Sequence, residues 1–148
     1  MKSLVLSTVI MLVLVLNSLA AENLHLNPKL DYSSDSQDGP LITGDDMDAA
    51  LVAGEPAYVI MYGEACYNSK RQARRTVSLY QKYKGRVQFV IIDLDLPLSP
   101  GQQELQKKFY RGYIPHVVVL DAYGHAVYNA SGEVDEAVIS GLLDKALR

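Results

Sequence analysis

Ala57-Tyr58-Val59-Ile60-Met61-Tyr62 runs straight into Gly63-Glu64-Ala65-Cys66-Tyr67-Asn68-Ser69-Lys70, and the join between the two decides how the chain folds. The first six residues are an unbroken apolar run of strand length, the pattern of a strand buried on both faces. Beyond Gly63 the period changes. From Tyr67 to Tyr83 the side chains of Ala73, Val77 and Tyr80 share one helical face, Lys70, Arg71, Arg74 and Arg75 lie elsewhere around the helix, and Gly85 closes it. Cys66, the only cysteine of the chain, stands at the strand-to-helix junction. A thiolate there gains from the helix dipole and from backbone N–H groups that have no intrahelical acceptor.

Toward the C-terminus, residues 87–93 form a second apolar strand. A Pro/Ser/Gly turn follows, then a helix over about 102–110 that places Leu105 and Phe109 four apart. Residues 117–121 and 125–128 read as two short strands joined across Ala122-Tyr123-Gly124. A last helix over 133–147, capped by Ser131, should bury Val134, Val138 and Leu142. A parallel βαβ half followed by a ββα half predicts an α/β sandwich, a central mixed sheet flanked by helices on both faces.

Toward the N-terminus, residues 1–20 have the make-up of a secretory signal peptide: Lys2, a nearly continuous apolar run over 4–16, and Ser18-Leu19-Ala20 as a cleavage signal. The run is shorter than the ~20 residues needed to cross hydrocarbon, so no stable membrane anchor is expected after cleavage. Residues 21–44 are polar and read as a flexible lead. A helix capped by Asp45 or Asp46 and running through Val52 to Gly54 would open the domain, which then spans 45–148.

The chain has 148 residues, 49% hydrophobic and 21% charged, which suits one globular domain, and its net charge of −3 with intermixed signs gives no basic field for nucleic acid. One cysteine excludes an internal disulfide and the multi-cysteine zinc sites. Cys66 and His116 are too few ligands for a metal, His25 lies in the lead and His125 in the hairpin, so neither metal nor cofactor is expected. Asn129-Ala130-Ser131 is a formal glycosylation acceptor, a pattern short enough to arise by chance.

The strand, the Cys66 motif and the helix, followed by Phe109-Tyr110-Arg111-Gly112-Tyr113-Ile114-Pro115, a strand, Tyr123-Gly124 and a final strand, resemble the thioredoxin family in order as well as in motif. The resemblance implies that Cys66 is the attacking thiol. It also implies that Ile114-Pro115 is a cis-proline loop facing Cys66 across a shallow peptide groove, with Tyr67 and Tyr113 at its sides and His116 beyond it. This chain departs from the family pattern at several positions. Ser69 replaces the second, resolving cysteine; Tyr62 and Ala65 stand where tryptophans are common; Ile60 replaces a buried acid; His116 replaces a threonine.

Two readings follow. In one, Cys66 works as a monothiol with a protein or a small thiol or disulfide partner, helped by Lys70, Arg71 and His116, with Ser69 donating a hydrogen bond to the thiolate. In the other, the fold is a non-catalytic binding module that uses the same groove. Both place the protein in the periplasm or outside the cell, and an odd cysteine there leaves a disulfide-linked dimer open.

Overall fold

The computed structural model describes residues 22–148 apart from Asp38 and Ala49, so the segment expected to direct export lies outside the described residues. In chain order the elements are β1 (Glu22–Leu26), β2 (Ile42–Asp45), β3 (Ala57–Tyr62), α1 (Tyr67–Tyr83), β4 (Gln88–Asp93), α2 (Pro100–Phe109), β5 (His116–Leu120), β6 (Ala126–Ser131) and α3 (Glu136–Ala146). The main sheet has the order β4-β3-β5-β6. Its β3–β4 pair is parallel, while β3–β5 and β5–β6 are antiparallel.

Strand alternation sorts the core into two layers. Tyr58, Ile60 and Tyr62 join Phe89, Ile91, Val117 and Val119 on the face covered by α1 and α3, where Ala73, Leu79, Tyr83, Ile139 and Leu143 meet them. Val59, Met61, Val90, Ile92, Val118 and Leu120 face the other way and take Leu105 and Phe109 of α2. All residues of β3 are buried, as its unbroken apolar run predicts. Helix α2 begins with a capping box in which Ser99 Oγ accepts from Gln102 N and Gln102 Oε1 accepts from Ser99 N.

The expected flexible lead over 21–44 is corrected by the structure. β1 and β2 pair as an antiparallel ribbon, and Leu24, Leu41 and Ile42 are buried in the same cluster as α1. Their apolar signal is only a few residues long and gains meaning from a distant partner. Tyrosine hydroxyls hold the segment: Tyr80 Oη accepts from Asn23 N at 2.7 Å, Tyr62 Oη accepts from Leu41 N at 3.1 Å, and Tyr32 Oη accepts from Asn27 N at 3.0 Å while donating to Leu41 O. Lys70 adds a third kind of tie. Its side chain is fully buried and its ammonium donates to Asp31 O, Ser36 O and Ser36 Oγ.

Two helix boundaries also differ from expectation. After β2 the chain turns through residues 46–48 instead of forming a helix from Asp45 or Asp46, and Asp46 itself has φ +50°. The backbone groups that a helix would have paired are taken by buried side chains: Val52 N donates to Gln88 Oε1 at 2.7 Å, Gln88 Nε2 donates to Ala50 O, and Gln102 Nε2 donates to Met47 O at 3.2 Å. At the C-terminus Ser131 belongs to β6, and Asp135 is the N-cap of α3. The helix starts later than expected, so Ile139 and Leu143 face the core while Val138 is exposed.

If the N-terminal ribbon is part of the core, Leu24→Ala should lower the unfolding free energy in urea by about 2–5 kcal/mol. A loss below about 1 kcal/mol would mean that β1 is a dispensable flap.

Candidate functional site

The site is built where β3 ends. Gly63, Glu64 and Ala65 carry the chain from Tyr62 to Cys66, which is the N-cap of α1 with extended backbone (φ −127°, ψ 114°) and no side-chain cap bond. Cys66 is a free thiol, half-buried. The proline loop reaches the end of β3 because β5 runs antiparallel to β3 with Met61 opposite His116. The Ile114–Pro115 peptide is cis. The two loops touch: a Cβ added at Gly63 would lie 2.6 Å from Ile114 Cδ1, so a larger residue there would force the Ile114 side chain to move.

The aromatic side chains expected around a groove are on the surface, with Tyr67 37% and Tyr113 74% exposed. Arg71 stacks over the Tyr67 ring with its guanidinium carbon 4.6 Å from the centroid. Ser69 points inward on α1, fully buried, and its hydroxyl has no hydrogen-bond partner among the described residues. It therefore sits in the second position of the motif without engaging the Cys66 sulfur.

The groups expected to hold a thiolate are committed elsewhere. Lys70 is buried on the carbonyls of the N-terminal segment. Arg71 and Arg75 converge on Glu133, Arg71 through both carboxylate oxygens and Arg75 at 2.9 Å, and this pairing holds the Glu133 carboxyl below its ordinary range. His116 is also withdrawn. It shares the strand face of Val118 and Leu120, is fully buried, and has both ring nitrogens in hydrogen bonds, Nδ1 with Ser131 Oγ at 2.8 Å and Nε2 with Asn129 Oδ1 at 2.7 Å. The Tyr110 ring packs edge-on against it. His116 thus fastens the proline loop to β6 and is not a groove-facing contact.

Sequence reasoning missed an acidic group under the loop. Glu64 and Asp93 are both buried. Glu64 N donates to Asp95 Oδ2 at 2.7 Å, and Asp95 N donates to Asp93 Oδ1 at 3.0 Å. Burial pushes the Asp93 carboxyl up to about 7; the Asp95 N–H opposes the rise and the neighbouring Glu64 carboxylate adds to it. The available signal was Asp93-Leu94-Asp95, two carboxylates closing an apolar strand. Asp93 ends β4, paired in register with Tyr62, the last residue of β3. Among the described residues no group of three or more His, Cys, Asp or Glu side chains has the geometry to hold a metal ion.

No family model matches the chain. It is similar to the thioredoxin-like protein HCF164, chloroplastic, of Oryza sativa subsp. japonica, at 28% identity over 118 residues, covering 80% of this chain and 44% of the relative. The protein of the same name from Arabidopsis thaliana is 29% identical, with 78% and 43% covered. The chain spans less than half the length of these relatives. Among solved structures it resembles thioredoxin-2, described as a component of the malaria parasite protein secretion machinery, with TM-score 0.54 and 17% identity over 64% of this chain and 86% of that one. A structure described as a malarial protein gives TM-score 0.52 at 18% identity, covering 64% and 99%. These likenesses establish the fold.

The buried carboxyl makes a signed prediction. The folded protein keeps the Asp93 proton up to about 7, whereas an unfolded chain loses it near the ordinary value of 3.8. The contribution to stability is therefore full below about pH 4 and is lost as pH rises through about 7. Glu133, with its lowered carboxyl, acts in the opposite sense, its contribution being lost only as pH falls below the ordinary carboxylate range. Melting curves at about pH 5 and about pH 8 should show the wild type losing several degrees more than Asp93→Asn between the two. Equal losses would show that Asp93 titrates as an ordinary carboxylate.

Proposed function

We propose that this chain is a thioredoxin-like protein that works as an exported monothiol protein, forming mixed disulfides with a protein or small-thiol partner through Cys66. The observation that carries this reading is the position of the one thiol: half-buried at the N-cap of α1, on the loop whose Gly63 meets Ile114 of the cis Ile114–Pro115 peptide. A Cys66 thiolate attacks a disulfide of the partner. One S–S bond breaks, another forms to Cys66, and the departing partner sulfur leaves as a thiolate that takes up a proton. With Ser69 in the second position there is no thiol in the chain to reverse the step, so an external thiol must attack the mixed disulfide to release the partner. Pro115 is buried and Tyr67 and Tyr113 remain exposed beside the site, where an extended peptide has apolar rings to lie against.

The location follows from residues 1–20, whose charge, apolar run and small-residue ending are those of a cleaved export signal. A compartment that permits disulfides is also where a single accessible thiol finds partners to exchange with. The non-catalytic reading keeps one specific observation in its favour: Lys70, Arg71 and His116 all have their hydrogen-bonding groups directed to other partners.

Two measurements decide between them. Partners recovered from the native compartment under non-reducing conditions should be released by dithiothreitol and absent from Cys66→Ala. Recovery of the same partners by Cys66→Ala, with the same resistance to reductant, would leave only the binding module. Ser69→Cys supplies the missing thiol, so mixed disulfides should collapse to an internal disulfide between Cys66 and the introduced sulfur, with partner release. Complexes as abundant as those of the wild type would show that the second position does not reach the first.

A further inference from the structure

We propose that Asp35 is a positioning residue that restrains Cys66, placing a carboxylate at the start of α1 where the thiolate would otherwise be the favoured negative charge. This rests on Cys66 being the working thiol. The contact is direct: Tyr67 N, the first donor of the helix, gives its hydrogen bond to Asp35 Oδ1 at 2.6 Å. Cys66 is the residue before Tyr67, and as N-cap it makes no side-chain bond of its own to the helix N–H groups. An anion at a helix N-terminus is stabilised by the dipole and by the open N–H groups. Here that position already holds one.

The placement of Asp35 is fixed from both sides. The Lys70 ammonium, one turn into α1, is fully buried and holds Asp31 O and Ser36 O, the carbonyls that bracket Asp35. Three hydrogen bonds of the Asp31 carboxylate, from Ser33 N, Ser33 Oγ and Ser34 Oγ, fold the segment between them and draw that carboxyl down to about 2. The Lys70 charge that could have favoured a thiolate is spent on the segment that brings a carboxylate to it.

The other charged groups around the thiol do not cancel Asp35. Arg71 is bound to Glu133 and to Asn68 Oδ1, His116 is buried between Ser131 and Asn129, and Glu64 is buried beside Asp93 with the same sign as Asp35. Asp35 therefore competes with a Cys66 thiolate for the open N–H groups at the start of α1, and a thiolate that loses that support is a poorer leaving group once it is in a disulfide. With no second thiol at Ser69, this lengthens the life of a mixed disulfide.

Iodoacetamide alkylation of the intact protein tests the proposal, because it needs no partner. Asp35→Asn keeps an oxygen that can accept from Tyr67 N and removes the charge; it should be alkylated roughly two to five times faster than wild type near pH 7 in low salt. Its rate profile should move to lower pH, and the difference should fade in about 1 M salt, where charges are screened within ~3 Å. Asp35→Lys should be faster still. Glu104→Gln, which removes an exposed carboxylate on α2, should match wild type. An Asp35→Asn rate equal to or below wild type overturns the proposal. So does acceleration in Asp35→Ala alone, which would make the segment a cover and not a charge. Faster alkylation of Asp35→Asn in a protein that captures no partner would sink the monothiol function while leaving the restraint on Cys66 standing.

Discussion

The pairing of Met61 with His116 across β3 and β5 is the constraint from which the site follows. Strand β3 is buried on both faces, so its register with β5 cannot slip by a residue without turning Val117 and Val119 out of the α1 layer and Val118 and Leu120 out of the α2 layer. With that register held, the chain leaving β3 and the chain entering β5 must lie side by side. Gly63 meets Ile114, and Cys66 follows within one loop. The meeting of the Gly63 loop with the proline loop is a consequence of the core. His116 belongs to this framework: its side chain takes the α2 face by strand parity, and its two hydrogen bonds to β6 close the sheet edge behind the proline.

The charges obey a second constraint, that buried ionic and polar groups must find partners. Lys70 illustrates how far this can move a residue from its apparent role. Helical periodicity puts it off the apolar face of α1, yet it is fully buried, and its three acceptors are uncharged oxygens of the N-terminal segment. Removing that segment would leave an ammonium with no hydrogen bonds in the core. The N-terminal segment is thus tied to α1 by leucine burial, by the Tyr80 hydroxyl and by the Lys70 ammonium, and to β3 by the Tyr62 hydroxyl.

These two constraints mark what could be read from the sequence. The sheet and the α1 junction were legible because long apolar runs and helical periodicity are local signals, whereas the proline loop was implied only by the family resemblance. The ordered ribbon was not legible. Leu24, Leu41 and Ile42 are separated by a polar stretch, and their meaning depends on Tyr62 and Tyr80, residues distant along the chain. The roles assigned to Lys70 and His116 failed for the same reason: proximity along the chain or in a motif does not reveal which buried carbonyl or amide will claim a side chain. Asp93 closes an apolar strand, and Asp93-Leu94-Asp95 reads locally just as a solvated turn would. Its neighbours Glu64 and Asp95 supply that distinction only after β3 and β4 are aligned.

On the proposed monothiol reading, Cys66 is a thiol at a helix start with an unusual electrostatic setting. A helix N-terminus ordinarily favours the thiolate, and a second cysteine ordinarily ends its encounter with a partner. Here the helix start already binds Asp35, the nearest lysine is turned inward, and the second position carries a buried hydroxyl. Each change acts in the same direction, slowing the start of exchange or preventing its completion within the chain. Rapid turnover within one chain needs a resolving thiol, and Ser69 cannot supply one. Holding a partner needs only that a disulfide, once formed, be slow to leave, and for that the same arrangement is well suited.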